Sequence, residues 1–199
     1  MKPFIRLSSW DHSCVAHEIK TILQIPDYND EPDFYERFCI RQGKPFIVAK
    51  YWTATDVLML PYVTSKFRQI GLLDDIGHAQ LFVCRPNTVG LWHLDGIDRH
   101  ASFNFPLFNT DLGDVEWTNI NIPCVQEATA FTKHSIPIDS TAVYPVSDSA
   151  RLTTAQFLKT DTWHRLNNGA NTKHRIVFSI RLKSNPTFES LIPNLERYS

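Results

Sequence analysis

No stretch of about 18 consecutive apolar residues occurs in the sequence, so no membrane-spanning helix is expected. The first residues, Met1-Lys2-Pro3-Phe4-Ile5-Arg6, lack the long apolar segment of a secretory leader, which points to a cytosolic protein. No Cys-x-x-Cys pair is present: Cys14, Cys39, Cys84 and Cys124 lie 25 or more residues apart, a spacing that argues for reduced thiols and against a zinc or dithiol site. Charge of either sign is not in excess. The net charge of −1 and pI near 6.7 give no global reason to bind nucleic acid or an anionic membrane. Repeats, low-complexity tracts and Pro/Gly/Ser linkers are also missing, so nothing divides the 199 residues into more than one domain.

What is present is an ordinary globular composition, 43 % hydrophobic and 21 % charged, enough to bury a core without covalent staples. The first 78 residues read as a helical and mixed support region. Val15, Ile19, Ile22 and Leu23 recur at helical spacing, predicting a helix over 10–25 capped by Ser9. A second helix is expected over 32–42, between Pro32 and Gly43, a strand over 45–49, and a third helix over 60–70 ending at Gly71. From Gln80 the pattern changes to short β-branched and aromatic runs broken by turn residues. Strands are expected at 79–85, 89–95, 101–108, 114–122, 125–131, 140–146, 155–164 and 173–182. Eight such strands fit a double-sheet jelly roll over 79–183, open at one end, followed by a tail over 184–199 with one short helical turn.

One cluster of residues carries chemistry. In Leu91-Trp92-His93-Leu94-Asp95-Gly96 the two-residue strand period puts His93 and Asp95 on one face. That motif alone is a weak signal, and its bland reading is a local hydrogen bond at a strand end. His164, in Thr162-Trp163-His164-Arg165, supplies a third donor 69 positions after Asp95. Two imidazoles and one carboxylate make a facial set suited to Fe(II), leaving three adjacent positions open. Arg175 follows His164 by eleven positions, across Asn167-Asn168-Gly169-Ala170-Asn171, which reads as a hairpin turn pairing strands 155–164 and 173–182. A guanidinium in the same mouth suits a carboxylate.

These residues resemble the pattern of the Fe(II)/2-oxoglutarate-dependent oxygenases: His-x-Asp, a distal His, and an Arg on the last core strand. The resemblance covers roughly 79–183 and implies a double-stranded β-helix, a cupin-like jelly roll. It implies that His93, Asp95 and His164 bind Fe(II), that Arg175 anchors 2-oxoglutarate, and that O2 is consumed with release of succinate and CO2. Arg99-His100-Ala101-Ser102-Phe103-Asn104-Phe105-Pro106-Leu107 looks like the strand after the motif in aspartyl/asparaginyl and prolyl hydroxylase-like members, implying an amino-acid or peptide substrate. The pattern departs at Val177, where many members carry serine; Ser179, further along the same face, is the candidate in its place.

Asn104 reads equally as a contact in the mouth or as a buried amide tied to backbone. Arg99 reads as a substrate contact or a solvated rim charge, and His134, in a loop-like stretch, as a substrate contact. His174 precedes Arg175 and is expected to face away from the mouth. Trp92 and Trp163 are expected to pack in the core. Two rivals stay open: a cupin-type metalloenzyme that does not use 2-oxoglutarate, and a catalytically silent jelly-roll binding module.

Overall fold

The computed structural model describes residues 1–29, 33–37, 46–95, 99–128 and 133–199. The chain runs β1 (Phe4–Arg6), α1 (His12–Ile22), a helical turn α2 (33–37), β2 (Phe46–Trp52), α3 (Ala54–Leu58) and α4 (Pro61–Gln69). The strands of the sandwich follow: β3 (Ile76–Cys84), β4 (Thr88–Val89), β5 (Ala101–Phe108), β6 (Asp114–Trp117), β7 (Cys124–Ala128), β8 (Lys133–Pro137), β9 (Asp148–Arg151), β10 (Gln156–Lys159), β11 (His164–Asn168) and β12 (Arg175–Leu182). Helix α5 (Phe188–Leu195) and a 3-10 turn over Glu196–Tyr198 follow. A six-stranded sheet in the order β1-β10-β5-β12-β3-β2 faces a four-stranded sheet in the order β4-β11-β6-β9, and β7 and β8 form a separate hairpin inserted between β6 and β9. The pairings are antiparallel, and the architecture is a jelly-roll-like β-sandwich.

The two faces of the larger sheet have different partners. On one face Phe103, Phe105, Phe178, Ile180, Ala79, Leu81 and Val83 join the side chains of α1, α3, α4 and α5 in the main apolar core. Trp10 is its centre, stacked on Phe103 and Phe105 at 6.1 and 5.9 Å and edge-on to Phe67 at 5.7 Å. The alternate residues, His78, Gln80, Phe82, Ser102, Asn104, Arg175, Val177, Ser179 and Arg181, must then face the smaller sheet. Most of these are polar and buried. An interior this polar is built to hold something other than hydrocarbon.

Several expectations need correction. The first helix is capped by Asp11, whose carboxylate accepts the Ser13 and Cys14 N–H groups, and not by Ser9; it starts two residues later and ends three earlier than the apolar spacing predicts. Of the second helix, 33–37 is helical and the rest lies outside the described residues. The third ends as expected before Gly71, which takes φ +74°, a conformation that glycine adopts freely. Residues 140–146 form no strand; strands occur on either side, at β8 and β9. The tail is a two-turn helix that buries Phe188, Leu191 and Leu195, more than a single turn.

The predicted hairpin does not exist. β11 pairs with β4 and β6, whereas β12 pairs with β3 and β5, so the Asn/Gly-rich turn crosses from one sheet to the other. The physical reason lies in β12 itself. All eight of its residues are buried, which demands a central place in a sheet covered on both faces, and β11, with a part-exposed middle, cannot supply that cover edge to edge.

Candidate metal centre

Residues 93–95 lie between two strands and are stitched to both. His93 and His164 exchange backbone N–H to C=O bonds at 2.9 and 3.0 Å, and Leu94 exchanges the same pair with Ser135 of β8 at 3.0 and 2.9 Å. The Asp95 N–H donates to the Thr160 carbonyl at 3.1 Å. This alternation sends the His93 and Asp95 side chains to one side, toward His164 at the first position of β11. The expected strand over 89–95 is thus shorter, β4 plus isolated bridges, yet the facing of the two side chains holds.

His93, Asp95 and His164 offer one ligand atom each, all within 4.8 Å of one another. Asp95 Oδ1 lies 3.8 Å from His93 Nε2, and Oδ2 lies 3.7 Å from His164 Nε2. Each imidazole has its Nδ1 against a carbonyl, Leu91 O at 3.0 Å and Thr162 O at 2.9 Å, which fixes the Nδ1–H tautomer and leaves Nε2 as a lone-pair donor. Burial pushes the His164 imidazole down to about 3, helped by the neighbouring His93 ring, and burial lowers His93 as well. Both rings are therefore neutral at neutral pH. Burial alone would raise Asp95, but the Arg99 charge and the two imidazoles override it and hold the carboxyl well below its usual range. Two neutral imidazole nitrogens and one carboxylate form a donor set fit for a divalent transition metal.

Arg175 lies on the inner face at the start of β12, 3 % exposed, and its Nε and Nη2 have no hydrogen-bond partner. Burial lowers its pKa, as expected for a cation lacking a counter-ion. Its stem passes over Gly113: a Cβ built there would stand 2.8 Å from Arg175 Cδ and 2.8 Å from Asn168 Oδ1. Asn168 is four positions beyond His164 on β11, so Arg175 reaches the interior about 13 Å along the strand from the imidazole. The turn that delivers it is fixed by three amides. Asn168 Nδ2 donates to Arg85 O at 2.7 Å, Asn171 Nδ2 to Asn109 O at 2.6 Å, and Asn109 Nδ2 to His174 O at 2.9 Å.

Ser179 and Asn104 are lateral neighbours on the inner face. Ser179 is fully buried with an unpartnered Oγ, while Asn104 Nδ2 is engaged by Ser102 Oγ at 2.8 Å and Ser102 O at 3.1 Å. Arg99 is not the solvated rim charge that its position after the motif allowed: it is 8 % exposed, ion-paired with Asp95, and lies over the Phe82 ring at 5.7 Å. His134 sits on β8, not in a loop, 3.5 Å from Glu127. His174 is turned to the N-terminal segment, with Nδ1 3.1 Å from the Tyr28 hydroxyl and Nε2 2.6 Å from Glu36. Trp92 and Trp163 pack with Ile122 in a small core of their own. Sequence reading missed Gly113, Asn168 and Thr160. Gly113 reads as a turn glycine, Asn168 as part of the Asn/Gly-rich turn and Thr160 as a strand polar, and only the sheet pairing brings them to the site.

No family model matches the chain, and no curated protein matches it in sequence. Among solved structures it is similar in fold to a non-heme monooxygenase, ThoJ in its apo form, at 11 % identity and a TM-score of 0.50, over 90 % of this chain and 73 % of that one. A nickel complex of ThoJ aligns at 11 % identity and a TM-score of 0.43, over 90 % and 72 % of the two chains. Among the described residues, no helix is long and apolar enough to cross a membrane.

Proposed function

We propose that the chain is an Fe(II)- and 2-oxoglutarate-dependent oxygenase that hydroxylates an amino acid or a peptide side chain. The observation that carries this reading is the pairing of a two-histidine, one-carboxylate donor group with a buried guanidinium that lacks a partner in the same interior. In such a site Fe(II), 2-oxoglutarate and O2 supply oxidative decarboxylation coupled to C–H hydroxylation, giving succinate, CO2 and the hydroxylated product. The residues have separable tasks. His93 and His164 present Nε2, each oriented by a carbonyl behind it, and Asp95 supplies the anionic donor. Arg175 receives the distal carboxylate of the co-substrate through charge-assisted hydrogen bonds, and Gly113 leaves room for its stem. The roughly 13 Å along β11 between the imidazole and Asn168 is a length that a five-carbon diacid and an arginine side chain span together. Ser179 and Asn104, lateral neighbours on the inner face, are assigned to the organic ligands. The fold likeness to a non-heme monooxygenase is compatible with this reading, and the amino-acid or peptide substrate rests on the resemblance of residues 99–107 alone. His134, on the hairpin bridged to Leu94, is assigned to the substrate side of the mouth.

The test is anaerobic titration with Fe(II) and 2-oxoglutarate, where a visible metal-to-ligand charge-transfer band is expected. Arg175→Met should keep metal affinity and weaken 2-oxoglutarate binding about a hundredfold, within the ~2–5 kcal/mol of removing one side of a buried charge pair. Unchanged 2-oxoglutarate affinity in that variant would favour a cupin-type enzyme that does not use this co-substrate. No band in the unmodified protein would favour a silent jelly roll. Succinate release under air against amino acids and peptides, with His164→Ala as blank, then identifies the substrate.

A further inference from the structure

Both oxygens of Asp95 face the donor group, Oδ1 toward His93 and Oδ2 toward His164 at nearly equal distances. Nothing in the imidazole positions selects one oxygen over the other. The asymmetry comes from Arg99, whose Nη2 is ion-paired with Oδ2. We propose that Arg99 is a positioning residue that restricts Asp95 to a single metal-binding oxygen, and that Thr160 holds the two in register.

The pairing is built into the fold. Asp95 and Arg99 are 8 % exposed, so the guanidinium cannot exchange its partner for water at low cost. Its other side lies over the Phe82 ring, which faces inward from β3 beside Gln80. Thr160 grips the segment at both ends: its carbonyl accepts the Asp95 N–H at 3.1 Å, and its Oγ1 donates to the Arg99 carbonyl at 2.8 Å. Asp95 and Arg99 are thereby both tied to Thr160, and their side chains meet. A guanidinium on Oδ2 competes with a divalent cation for that oxygen, because both draw on the same lone pairs, so chelation by both oxygens is disfavoured. The consequence concerns stoichiometry. An octahedral metal with three monodentate protein ligands keeps three open positions, the number that a bidentate 2-oxoacid and O2 need together, whereas a chelating Asp95 would leave two.

This inference rests on the metal-site reading above, and the experiment separates the two. Mn(II) alone is the probe, read by its affinity and by water-proton relaxation, which counts exchangeable waters on the ion. The unmodified protein is expected to hold about three waters, as set by three monodentate ligands. Arg99→Met should hold about two, because the freed oxygen displaces one. Arg99→Lys, which retains a cation at that place, should restore the third. Thr160→Val should shift the count in the same direction as Arg99→Met, and Thr160→Ser should not; these variants decide the matter where Arg99→Met fails to fold by circular dichroism. Equal water counts in the unmodified protein, Arg99→Met and Thr160→Val would overturn the positioning role and leave the metal site standing. No Mn(II) binding by the unmodified protein would overturn both.

Discussion

A glycine and an arginine set the depth of the interior. Gly113 has no side chain where any other residue would press on Arg175 Cδ and Asn168 Oδ1 at once, and the Asn167 carbonyl stands 3.2 Å from the same point. A Cβ closer than about 3 Å to two side chains forces one to move, and Asn168 is tied to the Arg85 and Lys173 carbonyls by its amide. Arg175 is the one that shifts. Gly113→Ala should therefore weaken 2-oxoglutarate binding about tenfold or more, the loss of one charge-assisted hydrogen bond at ~1.5–3 kcal/mol, with Mn(II) affinity unchanged. Calorimetric titration of the two ligands checks this, and equal weakening of both would mean that the substitution disturbs the whole sandwich. The contrast with His93, Asp95 and His164 shows what is legible at this scale. Those three were readable because metal donors are few in kind and a strand's period fixes their facing. Gly113, Asn168 and Thr160 act by where they are not, or by what their amide or hydroxyl ties down, and neither property has a signature in residue order.

Helix α4 carries a cap that comes from another element. Its N-cap, Leu60, has no side chain able to accept a hydrogen bond, and Pro61 lacks an N–H, so the Tyr62 and Val63 N–H groups need an acceptor. Glu18 of α1 supplies both, Oε1 at 2.6 Å and Oε2 at 2.9 Å, while itself 8 % exposed. The carboxylate also sits at the positive end of the helix dipole. Glu18→Ala leaves two buried donors without partners and should cost about 2–4 kcal/mol, read from the urea midpoint, with Glu18→Gln losing about half as much because one acceptor remains. A loss under about 0.5 kcal/mol would mean that water takes over the cap. The same element scale explains where sequence reading succeeded and failed on the fold. α4 was legible because Pro61 and Gly71 mark its ends locally, and β5 because Phe103, Phe105 and Leu107 alternate with Ser102, Asn104 and Pro106 along it. The turn read at 167–171 exists but begins after Asn168, and its chemistry says nothing of which strands it joins; that depends on β12 being buried on both faces, a property of its neighbours. A strand was expected over 140–146, between the actual β8 and β9, because of the exposed Val143 and Val146, whose β-branching suits a strand but which find no core.

At the scale of the molecule, stability and site are kept on opposite faces of the larger sheet. The apolar face, covered by the helices and centred on Trp10, carries the hydrophobic free energy, and it lets the inner face tolerate buried atoms without partners, among them Arg175 Nε and Nη2 and Ser179 Oγ. Such an interior should make the metal-free fold sensitive to acid in a predictable window. In the unfolded chain the two site histidines take up protons near the ordinary imidazole value of 6.5, whereas in the fold His164 does so near 3 and His93 also below the ordinary value. Between those limits the unfolded state binds more protons, so stability falls as pH drops from about 6.5 toward 3 and is regained as pH rises. Asp95 acts with the same sign in a lower window, since its lowered pKa contributes stability that is lost as pH falls below the ordinary carboxyl value of about 3.8. Melting temperatures of the metal-free protein from pH 7 to pH 4 should therefore fall. They should fall less steeply for His164→Gln, which removes one of the two buried imidazoles without adding a titrating group. Saturating Ni(II) should raise the unmodified protein's melting temperature at pH 7 and keep that effect down to about pH 4, because His164 in the fold takes up a proton only near 3 and leaves Nε2 free for the metal until then. Parallel pH profiles for the unmodified protein and His164→Gln would show that the acid sensitivity arises elsewhere, with the Glu36–His174 contact that joins α2 to the start of β12 the next place to look.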